Sequence, residues 1–208
     1  MSLVFGMLGG FIAAAVVYGL ISRRQSLPCP VWLGWLVEMD NPLARTNRAA
    51  AIIENSDIQA GMTVLDAGCG PGRVSLPAAR KVGPEGRVVA LDIQQGMLDR
   101  VREKATNEGL DHIEFRHGGL GDGLLETDTF DRILLVTVLG EIPEPERALA
   151  ELFGALKPGG LLSVTELIFD PHFQSRAKVT QLASEAGFQE DAFYGNRFAY
   201  TLILKKAE

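Results

Sequence analysis

Beyond about residue 41 the chain alternates short apolar runs with segments of helical spacing, and this alternation limits the fold more than anything else in its 208 residues. The runs are MTVLDA, GRVVALD, HIEFRH, FDRILLVTVL and LLSVTEL. Between them lie a helical pattern reaching about Val82, QGMLDRVREKATNEGL ended by Gly109, and EPERALAELFGAL stopped at Lys157-Pro158-Gly159-Gly160. Asn41-Pro42 supplies an N-cap and first-turn pair for an earlier helix to about Asn55, and SRAKVTQLASEAGF predicts a last one. Aliphatic, β-branched strands separated by helices form a parallel sheet covered on both faces. FQEDAFY and RFAYTLILKK, with Gly195-Asn196 between them, predict an antiparallel hairpin at one edge. The predicted fold class is a doubly wound, mostly parallel α/β sheet of seven strands, with no internal repeat or second domain.

The first residues obey a different rule. Leu3 to Ile21 (LVFGMLGGFIAAAVVYGLI) contains 19 positions without a charge. At ~1.5 Å per residue such a helix is roughly 28 Å long, the thickness of a hydrocarbon core. A cleaved signal peptide and a buried or interfacial helix are the alternatives, but Met1-Ser2 offers no Lys or Arg as an n-region and the run is long for an h-region. The expectation is therefore an N-terminal transmembrane helix within residues 1–24. Arg23 and Arg24 follow it, which places the rest of the chain in the cytoplasm by the positive-inside tendency. Gly6 and Gly10 form a GxxxG pair suited to a homodimer through this helix. Residues 25–43 form a juxtamembrane segment whose Trp32 and Trp35 suit either a membrane interface or the cap of the core. The globular domain runs from 44 to 208. Its chain carries a formal charge of -6, which argues against a nucleic-acid partner. Cys29 and Cys69 match neither a metal spacing nor a disulfide framework, so a reducing compartment is expected and no metal site is assigned.

The chemistry concentrates in LDAGCGPGRV, residues 65–74. Gly68, Gly70 and Gly72 sit between the first strand and its helix, where glycine admits positive φ and lets a ligand lie against bare backbone. A dinucleotide fingerprint would need a third glycine where Arg73 stands. Asp66, two residues before the first glycine, suits an amino group, or else it accepts bonds from loop amides. Asp92 ends the second strand 20 residues past Gly72, where an acid accepts both hydroxyls of a ribose. A nucleoside bearing an ammonium and a carboxylate, such as S-adenosylmethionine, satisfies this set.

VLDAGCGPGRVSLPAA, VVALDIQQGML, FDRILLVTVLGEIP and LKPGGLLSVTE, in that order, resemble the successive motifs of class I S-adenosylmethionine-dependent methyltransferases, and most of all the small ubiquinone/menaquinone-biosynthesis-like group. The resemblance covers roughly Ala44 to Lys205. It implies a Rossmann-like methyltransferase fold with S-adenosylmethionine as cofactor. It also implies that Asp66, Gly68, Cys69, Gly70 and Gly72 surround the methionine part and that Asp92 holds the ribose. Ile93 packs on the adenine and Met97 adds to that pocket. Many relatives carry an Asp where this chain has Gly119, so the adenine edge falls to backbone atoms of Gly119 and Leu120, or to Asp122 reaching across. Cys69 reads as a buried filler, and His112 and His117 as surface residues.

Methyl transfer from a sulfonium needs alignment and exclusion of water more than it needs a base. Candidates on the acceptor side are Glu141, as a base or as a cap for the following helix, and His172 in DPHF. Tyr194, Asn196 and Tyr200 flank the terminal hairpin and are candidates to close the substrate pocket. The cofactor motifs and the apolar start together predict a membrane-anchored methyltransferase of a small lipophilic acceptor: a quinol precursor, a phospholipid amine, or a hydrophobic thiol or phenol. The alternatives are a soluble acceptor with the anchor acting only as an address, and a non-catalytic S-adenosylmethionine-binding assembly protein.

Overall fold

Valine, isoleucine and leucine at consecutive positions send their side chains to opposite sides of a strand, so such a run must be covered twice. In the computed structural model, which describes residues 28–31, 34, 38–39 and 45–206, this is how the sheet is built. The strands are β1 (Thr63–Ala67), β2 (Arg87–Asp92), β3 (Ile113–His117), β4 (Phe130–Val136), β5 (Leu156–Leu167), β6 (Gln189–Gly195) and β7 (Ala199–Lys205). Their order across the sheet is β3-β2-β1-β4-β5-β7-β6, with β7 antiparallel to both of its neighbours and the remaining pairs parallel. The hairpin expected at one edge is present, and its inner strand is β7.

The helices are α1 (Ala49–Asn55), α2 (Ser75–Val82), α3 (Gln95–Glu108), α4 (Pro145–Ala155) and α5 (Arg176–Glu185). Ile52 of α1, Ala79 of α2 and Val101 of α3 pack on one face with Val64, Val88 and Leu134. Leu152 of α4 and Leu182 of α5 pack on the other with Leu65, Val89 and Leu135. Neighbouring residues of the same strand thus belong to two separate cores.

Several boundaries differ from those expected. The helix predicted to run unbroken to Asn55 is, in its described part, a 3-10 turn Arg45–Asn47 and then α1, with Arg48 extended between them at ψ 140. The Arg73 guanidinium donates to the Asn47 carbonyl at 2.5 Å, taking an acceptor that a continuous helix would use internally. β4 stops at Val136, short of Leu139, because Thr137 adopts φ 55, a left-handed conformation that costs a β-branched residue strain. Lys157-Pro158-Gly159-Gly160 is not a turn ahead of β5 but lies inside it. α4 already ends at Ala155, and the register slips between Phe130 and Arg132 to accommodate the extra residues. Leu3–Ile21, Gly6, Gly10, Trp32, Trp35 and Asn41-Pro42 lie outside the described residues. Among the described residues no helix is long and apolar enough to cross a membrane.

Candidate active site

The strand order reverses at β1, whose neighbours are β2 on one side and β4 on the other, and a ligand crevice opens beyond their carboxyl ends. The glycine loop leaving β1 is tied to β2 by the amides of Gly68 and Cys69, which donate to the Leu91 carbonyl at 2.8 and 2.9 Å. The three glycines are needed for different reasons. A Cβ on Gly68 (φ +74) would lie 2.5 Å from Val138 Cγ2, and one on Gly72 (φ +90) 3.0 Å from Val101 Cγ1. Gly70 (φ +52) faces open space instead, with nothing within 4 Å. Only Gly70 therefore leaves backbone bare toward the crevice; the other two make room for the protein itself.

Asp92 does more than end β2. Its Oδ2 accepts the Gly70 N–H and its Oδ1 the Gln94 N–H, both at 2.8 Å, so the carboxylate clamps the loop apex to the start of α3. Each oxygen retains a lone pair for a further donor. Burial pushes its carboxyl upward, while these two amides pull it back. Asp66 is wholly buried beneath the loop, where its Oδ2 accepts the Ser75 hydroxyl at 2.5 Å. Burial pushes Asp66 up to about 6, opposed by Ser75 and by the charge of Arg73. Asp66 is thus tied to the first residue of α2, beyond the glycine loop. Cys69 is buried and its thiol is pushed well up by burial, as suits a filler.

Around the crevice, Ile93 stands 59% exposed beside Asp92 and offers a flat apolar face. Met97, one turn into α3, is buried, with Gly34 beside its sulfur. The Gly119 amide donates to Asp122 Oδ2 at 3.1 Å, which holds the Asp122 carboxylate beside the end of β3. Leu120 packs against the core. His117 is exposed, with a ring nitrogen 2.9 Å from the Ile93 carbonyl. His112, expected at the surface, is partly buried with a ring nitrogen 2.9 Å from the Ala79 carbonyl.

On the opposite wall the turn Leu139–Glu141 carries Glu141. Its carboxylate accepts the backbone N–H of Cys29 and is pushed up to about 8, first by burial and then by the Asp170 and Asp92 carboxylates. It does not cap α4, whose N-cap is Glu144. His172 is buried beside it: a Cβ on Gly140 would lie 1.9 Å from the His172 carbonyl, so only glycine lets the DPHF loop close on the turn. The structure therefore brings the backbone of His172 against the turn that carries Glu141. It does not bring the hairpin residues with them. Tyr194 lies on β6, four strands from β1, roughly 19 Å at about 4.8 Å per strand. The Asn196 side chain accepts the Phe198 and Ala199 amides and so shapes its own turn. Tyr200 is fully buried in the core, its hydroxyl donating to the Gln174 carbonyl at 2.8 Å, and burial pushes its phenol upward.

Two participants were not foreseen. Glu166, buried on β5 opposite Tyr200, accepts the Gln174 N–H at 3.0 Å through Oε2 while its Oε1 has no partner, and burial pushes it up to about 8. A charged acid in the otherwise uncharged, mostly apolar run LLSVTEL was the available signal. The second is the segment around Cys29. Gln94 Nε2 donates to the Cys29 carbonyl at 2.8 Å, Val31 packs at Gly96, and Glu38 pairs with Lys104. A strap thus runs along α3 and crosses from the β2 side of the crevice to Glu141. Its Cys29 thiol is pushed up to about 11 by burial and by the Glu141, Asp170 and Asp92 carboxylates, which keeps it un-ionised at neutral pH.

A family profile described as a methyltransferase domain matches residues 58–206. The demethylmenaquinone methyltransferase of Listeria monocytogenes serotype 4a is 36% identical over 106 residues, covering 51% of this chain and 45% of that protein. The arsenite methyltransferase of Halobacterium salinarum is 30% identical over 108 residues, covering 52% of this chain and 28% of that protein. The matched region spans less than half the length of either relative. The crystal structure of a SAM-dependent methyltransferase from Aquifex aeolicus superposes with a TM-score of 0.77 at 22% identity, covering 86% of this chain and 100% of that one.

Proposed function

Because the chain belongs to the class I S-adenosylmethionine-dependent methyltransferases, we propose that it methylates a small lipophilic acceptor at a membrane, held there by an N-terminal span and with its catalytic domain in the cytoplasm. The observation that carries this reading is the strap. Cys29, eight residues beyond the uncharged run Leu3–Ile21, lies across the mouth of the crevice, with its amide on Glu141 and its carbonyl on Gln94. Anchor and active site are consecutive in the chain, and a membrane-dissolved acceptor gains effective concentration from that proximity.

S-adenosylmethionine is the cofactor; when bound it supplies a sulfonium methyl group, an electrophile with a neutral leaving group. The site fits it. Asp66, Gly68, Cys69, Gly70 and Gly72 would enclose the amino-acid end, with Gly70 giving bare backbone. Asp92 would hold the ribose hydroxyls through the lone pairs its two amide bonds leave free. Ile93 and Met97 would flank the adenine, with Gly119, Leu120 and Asp122 at its edge. The strap excludes water from the mouth. Glu141 accepts the acceptor's proton in its ionised form, and His172 fixes the Glu141 turn through its backbone.

The test uses full-length protein in membranes with S-adenosylmethionine labelled in its methyl group and a total cell extract. Protein-dependent label is expected in the organic phase. Label confined to the aqueous phase would overturn the lipophilic acceptor and leave the anchor as an address. Tight cofactor binding without any transfer would leave only the assembly-protein reading.

A further inference from the structure

Two loop tips at the mouth end of the sheet carry side chains that turn chemistry does not call for. The Asp170 amide donates to the Leu167 carbonyl at 2.8 Å, closing a turn whose two central residues are Ile168 and Phe169. Such positions usually take glycine, proline, asparagine, aspartate or serine. Here they hold large apolar residues, 39% and 72% exposed. The second tip, between β6 and β7, closes through Asn196, whose amide donates to the Ala199 carbonyl at 2.9 Å, and it presents Phe198, 46% exposed. The Ile168 amide donates to the Phe198 carbonyl at 2.7 Å, so the tips form one surface and not two isolated exposures.

Charge is arranged around this surface. The Arg197 guanidinium lies over the Phe198 ring, 4.5 Å from its centroid. Arg45, also exposed, precedes Thr46, whose hydroxyl donates to the Ala199 carbonyl at 3.4 Å. Two cations thus flank an aromatic and aliphatic patch on a chain whose formal charge is -6. The position matters as well. Leu167 pairs with Ala199 where β5 ends and β7 begins, the end of the sheet that also bears Asp92 and Glu141. From Phe169 the chain runs directly into the loop that closes on Gly140.

We propose that Ile168, Phe169 and Phe198, with Arg197 and Arg45 beside them, dock onto the surface of a lipid bilayer and turn the acceptor side of the crevice toward it. Aromatic rings with adjacent arginines suit the headgroup boundary, where the rings enter the acyl region and the cations meet anionic lipid. The same chain supplies the reason for a bilayer over another occupant: its uncharged run Leu3–Ile21 is followed by Arg23 and Arg24. The 23 residues from Ser22 to Ala44 span at most ~80 Å, so the domain cannot move far from the membrane that holds the run. The inference rests on the membrane-anchored reading above and adds an orientation to it.

The test replaces Phe169, Phe198 or, as a control on the loop at the opposite end of the sheet, Glu85 with photoreactive benzoylphenylalanine in the full-length chain. Each variant is reconstituted in vesicles of phosphatidylcholine with a minority of phosphatidylglycerol and irradiated, after its melting temperature has been matched to the parent. Lipid adducts are expected at 169 and 198, with none above background at 85. An alkaline wash reports the anchor separately. Protein that resists the wash but forms no lipid adducts, or forms adducts to a second copy or another protein, overturns the docking face and leaves the anchor standing. Protein released by the wash that had formed lipid adducts at 169 and 198 supports the face and removes the span. Release without adducts overturns both.

Discussion

Glu141 is the residue whose chemistry depends most on where the fold puts it. Burial and the neighbouring Asp170 and Asp92 carboxylates push it up to about 8, so at neutral pH it is mostly protonated and only its minor, ionised form can accept a proton. If the acceptor loses its proton to Glu141, kcat/KM rises with pH and levels off above about 8. Glu141→Gln keeps an oxygen for the Cys29 amide but cannot ionise. Its expected effect is a loss of about 10²-fold above that pH, little loss well below it, and a flattened profile. A profile unchanged by Glu141→Gln would assign the titration to the acceptor and leave Glu141 as a positioning residue. Part of this was legible in the sequence: an acid beyond the fourth run is placed at the crevice by strand-end geometry alone. Its perturbation was not, because Asp92, Glu141 and Asp170 lie on three separate segments of the chain. Nor was the second bond of Asp92. A carboxylate at the end of a strand is visible in VVALD, but its clamp on Gly70 joins residues 22 apart and exists only once β1 and β2 are side by side.

At the scale of elements, the central strands were legible because they are apolar through most of their length, and the helices because local signals such as Gly83, Gly109 and the Ser175 N-cap bound them. What escaped is set by contacts across the sheet. Thr137 is turned left-handed at the end of β4, its amide donating to Thr165 on the neighbouring strand, and no local propensity announces that break. The glycine loop shows the same division. Its glycines look alike in sequence, yet Gly68 and Gly72 serve packing and Gly70 serves the crevice. Alanine substitutions separate the two. Gly68→Ala places a methyl 2.5 Å from Val138 at φ +74, and is expected to destabilise the fold by roughly 2–4 kcal/mol in thermal or urea unfolding. Gly70→Ala meets nothing and is expected to cost only about 1–2 kcal/mol, from its left-handed backbone. Calorimetric titration with S-adenosylmethionine is expected to show the reverse ranking for Gly70→Ala, a loss of affinity of at least about tenfold in a protein that remains folded. An unchanged affinity in Gly70→Ala would move the ligand away from the loop.

Across the whole molecule, one sheet carries two cores, and the crevice sits at the strand ends where both terminate. α2 and α3 of one core follow directly from the loops around the ligand, and Glu141 leads toward α4 of the other. The strap adds a third contributor that composition could not reveal. Cys29 meets Gln94 over 65 residues of chain, a contact that no local pattern announces. A ligand held at this junction should stabilise all three together. The demethylated cofactor, S-adenosylhomocysteine, tests this without turnover. At about 100 times its Kd it contributes ~2.7 kcal/mol. For a domain of this size that corresponds to an increase in Tm of roughly 5–10 °C. The rise is expected as a single shifted transition in both near- and far-ultraviolet circular dichroism, since neither core can unfold while the ligand remains bound. Asp92→Ala removes the acceptor of Gly70 and Gln94 together with the proposed ribose contact, and should abolish most of the shift at the same ligand concentration. A shift that survived Asp92→Ala would place the ligand elsewhere. Two separate transitions in the parent protein, only one of them moved by ligand, would mean that the two faces of the sheet unfold independently and that the crevice belongs to one of them.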